Sequence, residues 1–141
     1  MKTCIARGLA AALILSLAAP AGAYTSGDRY IAYSNTAMSI TGDIQMDDFS
    51  ITFANGEMLE FSDLVADRFV VDGEGVPASV YRVATPGDPE LENGNRLCGS
   101  GDVTYIANWA AGDGLSIVAV FTGDDAPETS DEMCASYTYG Q

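Results

Sequence analysis

Alternation of apolar and polar residues, rather than any helical period, runs through the chain. Met38, Ile40, Ile44 and Met46 share one parity while Ser39, Thr41, Asp43 and Gln45 hold the other, the mark of a strand with one buried face. After Asp47-Asp48 the parity exchanges, and Phe49, Ile51 and Phe53 become the apolar set against Ser50 and Thr52. One strand cannot exchange its faces, so the two aspartates predict a turn or a bulge.

The next connection, Ala54-Asn55-Gly56, predicts its own register. A two-residue Asn-Gly loop would set Ile51 opposite Glu60 and put a carboxylate on the apolar face. A three-residue loop with Gly56 as a left-handed bulge residue instead pairs Ile51 with Leu59 and Phe49 with Phe61. That register buries four apolar side chains together and is the one expected.

Beyond it, Ser62 to Asp67 has the spacing of one helical turn and Arg68 to Val71 that of a short strand. Gly73-Glu74-Gly75 is a turn. Val76 to Thr85 is apolar on both parities apart from Arg82, the pattern of a central strand. Pro86 to Asn95 is a long polar connection. Val103 to Trp109 and Leu115 to Thr122 are strands around an Ala110–Gly114 loop, Gly123 to Met133 is an acidic loop, and Cys134 to Tyr139 is a last strand. Short strands separated by turn signals predict an all-β, single-domain antiparallel sandwich or small barrel.

The N-terminus stands apart. Lys2 and Arg7 precede the apolar run Leu9–Ala19, followed by Pro20 and Ala21-Gly22-Ala23. This is the pattern of a cleaved signal peptide over residues 1–23, leaving residues 24–141 as one exported β domain. The apolar run is shorter than the roughly 20 residues that span a bilayer, so no membrane anchor is expected. Removing Cys4 with the leader leaves Cys98 and Cys134, which in an exported chain form one disulfide.

Charge narrows the partners. The chain of 141 residues has six Lys+Arg, twenty Asp+Glu and no histidine. Lys2 and Arg7 lie in the leader, so the exported part carries four arginines against twenty carboxylates, a balance of 4 − 20 = −16. Nucleic acid is excluded as a partner, because phosphate binding needs basic patches. A basic protein or cationic ligand is the class this surface favours.

Chemistry is thin. Histidine-dependent nucleophile systems and the usual zinc sites are ruled out, and no cofactor motif is present. Gly99-Ser-Gly101 has neither the lysine nor the helix of a phosphate loop. Carboxylates alone could serve a glycan hydrolase or a calcium-stabilised structural module. The densest acidic group, Asp124, Asp125, Glu128, Asp131 and Glu132, is the candidate partner-binding surface, and Asp72-Gly73-Glu74-Gly75 is a second acidic turn. Neither matches an EF-hand ligand ladder. Tyr105, Trp109, Tyr137 and Tyr139 form stripes that suit core packing, the commoner use, or a ligand platform. Arg82 is expected to snorkel or pair with a carboxylate.

Four segments, Asn95-Arg-Leu-Cys-Gly99, Val103-Thr-Tyr-Ile106, Leu115–Gly123 and Cys134-Ala-Ser-Tyr-Thr-Tyr139, resemble those of small exported proteobacterial β proteins of unknown function. The Ile40–Phe61 hairpin resembles them more loosely. This resemblance implies a bacterial periplasmic setting and a paired Cys98–Cys134, and it carries over no catalytic residue. Together these features describe an exported, non-enzymatic binding protein.

Overall fold

Eight antiparallel strands close on themselves in the computed structural model, which describes residues 27–141. The signal-peptide reading of residues 1–23 lies outside the described residues. The strands are β1 (Asp28–Ala32), β2 (Ile44–Met46), β3 (Ser50–Thr52), β4 (Met58–Val71), β5 (Glu74–Gly87), β6 (Val103–Gly112), β7 (Leu115–Phe121) and β8 (Ala135–Gly140). Each pairs with its neighbours in sequence, and β1 pairs with β8 to complete a barrel. The choice between sandwich and barrel is thereby settled. Cys98 and Cys134 are joined, with Cα atoms 5.7 Å apart.

The expected hairpin register is observed. Ile51 pairs with Leu59, Gly56 has φ +91°, and its N–H donates to the Phe53 carbonyl at 2.9 Å. Phe49 departs from expectation. Its carbonyl accepts from Phe61 N–H, yet its side chain is 68 % exposed, because it belongs to the turn before β3 rather than to the strand. That turn is made by Asp47, whose Oδ1 accepts the N–H groups of Phe49 at 2.7 Å and Ser50 at 2.9 Å.

Other expectations are corrected. Ala37–Thr41 is a single π-helical turn, so Met38 points outward, Thr41 of the polar parity is buried, and of the expected apolar set only Ile44 and Met46 are buried. Ser62–Asp67 is not helical but part of the long strand β4, where register shifts break the alternation and imitate a helical spacing. The hairpin turn lies at Asp72-Gly73, with Val71 opposite Glu74, so Gly75 is already in β5. Likewise, β6 and β7 continue through the expected Ala110–Gly114 loop to a two-residue turn at Asp113-Gly114. All four of these turn residues have positive φ, the type I′ geometry that suits the twist of the strands.

Two cores result from the two faces of the wall. Tyr81, Ile106 and Val120 align inward, where Tyr30, Phe61, Tyr137 and Tyr139 fill the barrel. Val80, Ala107 and Ala119 align outward under a second cluster containing Phe69, Tyr105, Trp109 and Phe121. The distal part of the β4–β5 hairpin covers this outer face. Its Phe69 ring lies 5.5 Å from Trp109 and 5.8 Å from Phe121, and Val70 bridges to Thr129. Apolar residues on both parities of β6 and β7 therefore have a cover on each side.

Candidate functional site

The two ends of the barrel differ. At one end, Phe53, Leu91 and Leu97 join Ala37 in the interior core and plug the opening. Asn93 and Asn95 both donate to the Ser39 carbonyl, Tyr137 Oη donates to the Leu97 carbonyl at 2.5 Å, and Asn55 Nδ2 donates to the Glu90 carbonyl. The opposite end opens into a hollow of about 330 Å³ lined by Asp28, Tyr30, Asp48, Ser79, Tyr81 and Asn108, among others.

Four elements converge on this mouth. β1 supplies Asp28 and Tyr30, the β2–β3 turn supplies Asp47 and Asp48, β5 supplies Ser79 and Tyr81, and β6 supplies Asn108. Because Asp47 holds the turn through one oxygen, Asp48 is placed to accept from Tyr81 Oη at 2.6 Å. Burial, and then the Asp48 carboxylate, push the Tyr81 phenol up to about 12, against a smaller opposing effect of Ser79. Tyr81 therefore stays protonated as a donor to Asp48, and its oxygen remains able to accept. Tyr30 is only 8 % exposed, lines the hollow, and makes no hydroxyl hydrogen bond among the described residues. A second hollow of about 450 Å³ shares Gly27, Met46 and Asp47 with the first and runs outside the wall to Phe49, Met58 and Glu60.

The acidic loop lies at the plugged end, after β7. Asp124, Asp125, Glu128, Asp131 and Glu132 are all exposed there. Glu132 turns back on its own chain, accepting the N–H groups of Glu128 at 2.7 Å and Thr129 at 3.0 Å, and these bonds hold its carboxyl below the usual range. Val70 N–H donates to the Glu128 carbonyl, so the loop is also a seat for the covering hairpin. Among the described residues no group of three carboxylates or cysteines stands close enough to share a metal ion.

The remaining candidates take structural places. Tyr105 and Trp109 lie under the covering hairpin, and Tyr137 and Tyr139 lie inside the barrel, so all four are core. Arg82 is outside the wall, 3.1 Å from Asp63 and with its guanidinium 5.8 Å from the Tyr105 ring centre. At Gly99-Ser-Gly101 the backbone is occupied, because Asp88 accepts the N–H groups of Cys98 and Gly99. Among the described residues no helix is long and apolar enough to cross a membrane.

Sequence reasoning singled out neither Tyr30, Tyr81 nor Asn108. The available signal was a tyrosine on the inward parity of an otherwise apolar strand, which points to a hydroxyl needing a partner. Compared with family models, with curated proteins and with solved structures, the chain matches none.

Proposed function

We propose that this is an exported, non-enzymatic binding protein that engages a basic partner protein through its acidic surface. The charge balance carries the reading. Among the described residues Arg29, Arg82 and Arg96 are already paired with Asp43, Asp63 and Glu90, and Arg68 reaches the Gly75 carbonyl. Twenty carboxylates less those three leaves seventeen without a cation. Such a surface repels itself and attracts cationic partners over about 8 Å at physiological ionic strength and farther at low salt.

A hydrolase needs a carboxyl whose proton is held more tightly than usual. Asp43 and Glu132 are both held in the opposite sense, by backbone N–H donors and, for Asp43, by Arg29. The test uses the exported protein as bait in periplasmic extract at about 10 mM and about 150 mM sodium chloride. Capture of proteins with strongly basic surfaces at low salt, lost at the higher, is expected. A captured set with no excess of basic proteins, or one insensitive to salt, overturns the proposal.

A further inference from the structure

We infer that the groove outside the wall, across β2, β3 and β4, docks an exposed segment of the basic partner that carries an apolar side chain between basic ones. The inference rests on the acidic-surface reading and adds where the partner is held and by what contact.

The groove encloses about 450 Å³ and is lined by two of the large apolar side chains that the fold leaves in solvent, Phe49 at 68 % exposure and Met58 at 48 %. Single exposed apolar side chains are ordinary, whereas a pair that shares a concavity with a polar rim marks an interaction site. Phe49 is presented by fixed backbone. Its N–H donates to Asp47 Oδ1 at 2.7 Å, and its carbonyl accepts from Phe61 N–H at 2.8 Å. The Asp47 turn thus takes a ring off the inward parity of Ile51 and holds it in water. An aromatic anchor whose backbone is set before binding loses little entropy on docking.

Charge selects the occupant. Asp47 and Glu60 line the same groove, and neither forms an ion pair among the described residues. No arginine among the described residues lines it. A purely apolar segment would cover both carboxylates without giving them a cation, and a pure polycation would leave Phe49 and Met58 in water. An apolar side chain flanked by basic ones satisfies both. A second copy of the chain carries the same excess of carboxylates and is repelled.

The experiment titrates the isotope-labelled exported protein in about 10 mM salt and follows backbone amide shifts. The probes are a heptapeptide of alternating arginine and leucine, hexa-arginine, and a heptapeptide of alternating glutamate and leucine. The arginine–leucine peptide should bind tightest, with shifts centred on Gln45, Thr52, Met58 and Glu60, and the glutamate–leucine peptide should not bind. Phe49→Ser should weaken the arginine–leucine peptide about tenfold and hexa-arginine less than about twofold. Leu64→Ser, at a side chain of similar exposure outside the groove, should change neither by more than about twofold. Glu60→Gln should weaken the arginine–leucine peptide about threefold.

Shifts centred on residues 124–132, or hexa-arginine binding as tightly as the mixed peptide, would overturn the groove while leaving the acidic-surface reading standing. Equal losses in Phe49→Ser and Leu64→Ser would do the same. Binding of the glutamate–leucine peptide at the groove would overturn the basic occupant. A dimer in sedimentation that Phe49→Ser dissociates would give the groove to a second copy, and groove shifts moved by Tyr24→Ser without peptide would give it to the start of the exported chain; either overturns the inference. If neither cationic peptide binds, the acidic-surface reading falls and this inference falls with it. The wild-type shift map decides the location even if a variant misfolds.

Discussion

The hydroxyls of Thr41 and Tyr139 meet at 2.6 Å in the interior, joining residues 98 positions apart in sequence. Thr41 Oγ1 also lies within hydrogen-bond reach of the carbonyls of Ala37 and Gly42, so it closes the π-helical turn as well as tying that turn to β8. Thr41→Val keeps the shape and strands a buried phenol, and should destabilise by about 1–3 kcal/mol in urea unfolding. Tyr139→Phe leaves Thr41 its carbonyl partners and should cost less. The double variant should cost less than the sum of the two, because both single changes break the same bond.

At the β3–β4 turn, a Cβ on Gly56 meets nothing within 4 Å, so any cost of replacement is torsional rather than steric. Gly56→Val should lose about 1–2 kcal/mol, read as a lower thermal midpoint. Asn55→Asp would be mild if the loop stood alone. Instead Asn55 Nδ2 donates to the Glu90 carbonyl at 2.9 Å, and an aspartate cannot donate. Asn55→Asp should therefore cost about 0.5–1.5 kcal/mol, and Asn55→Ala a similar amount. A silent Asn55→Asp would mean that the link to the plugged end contributes nothing.

Cys98 and Cys134 close a loop with a separation of 36 residues, fixing the connection that carries Leu91 and Leu97 to the start of β8. Alkylation without reductant should leave Cys98 and Cys134 unmodified, read by mass of the peptides that carry them. Replacing both cysteines by serine should cost about 4 kcal/mol on the chain-entropy model. Amide exchange should accelerate first at residues 88–102, since those residues lose their anchor.

The pH dependence has two limbs. Asp43 is held below the usual carboxylate range by the Ala32 N–H and then Arg29, and Glu132 by the N–H groups of Glu128 and Thr129. A lowered folded value gives stability that is present above the unfolded value and lost as pH falls through the folded one. Stability should therefore decline from about pH 4 downward, and Glu132→Gln, which still accepts both N–H groups, should flatten that decline. On the alkaline side Tyr81 and Tyr137 are raised to about 12, chiefly by burial. Their contribution is complete below the ordinary phenol value near 10 and is lost as pH rises through about 12. A phenolate absorbance titration should place the Tyr81 and Tyr137 transitions near pH 12, and each should vanish in its phenylalanine variant.

Where structure is local, the residues declare it. Ile51 facing Leu59 follows from Asn55-Gly56 and two short alternations, and β6, β7 and β8 follow from their own patterns. The π-helical turn was hidden because Met38 and Ile40 fall on the parity of Ile44, although the buried residues Ala37 and Thr41 are four apart. Strand β4 was hidden between residues 62 and 67 because its register shifts erase alternation. The covering hairpin depends on Phe69 reaching Trp109 and Phe121, a contact across the sheet that no window of sequence contains. The mouth was illegible for the same reason, since Tyr30, Asp48, Tyr81 and Asn108 come from four separate segments. Charge was legible as a total, whereas its placement depended on closure.

Seven of the eight strand pairings join neighbours in sequence, and only β1 with β8 spans the whole domain. Each hairpin can thus form and add to the last with little loop to close, while the final seam must gather both ends of the domain at once. That seam is short: Ile31 with Gly140 and Ala32 with Tyr139, extended by the Tyr33 and Ser34 N–H bonds to the Thr138 carbonyl. Folding should accordingly run as a sheet that assembles early and rolls up late, with Tyr33→Pro or Ser34→Pro, each of which removes a seam N–H, speeding unfolding more than it slows refolding.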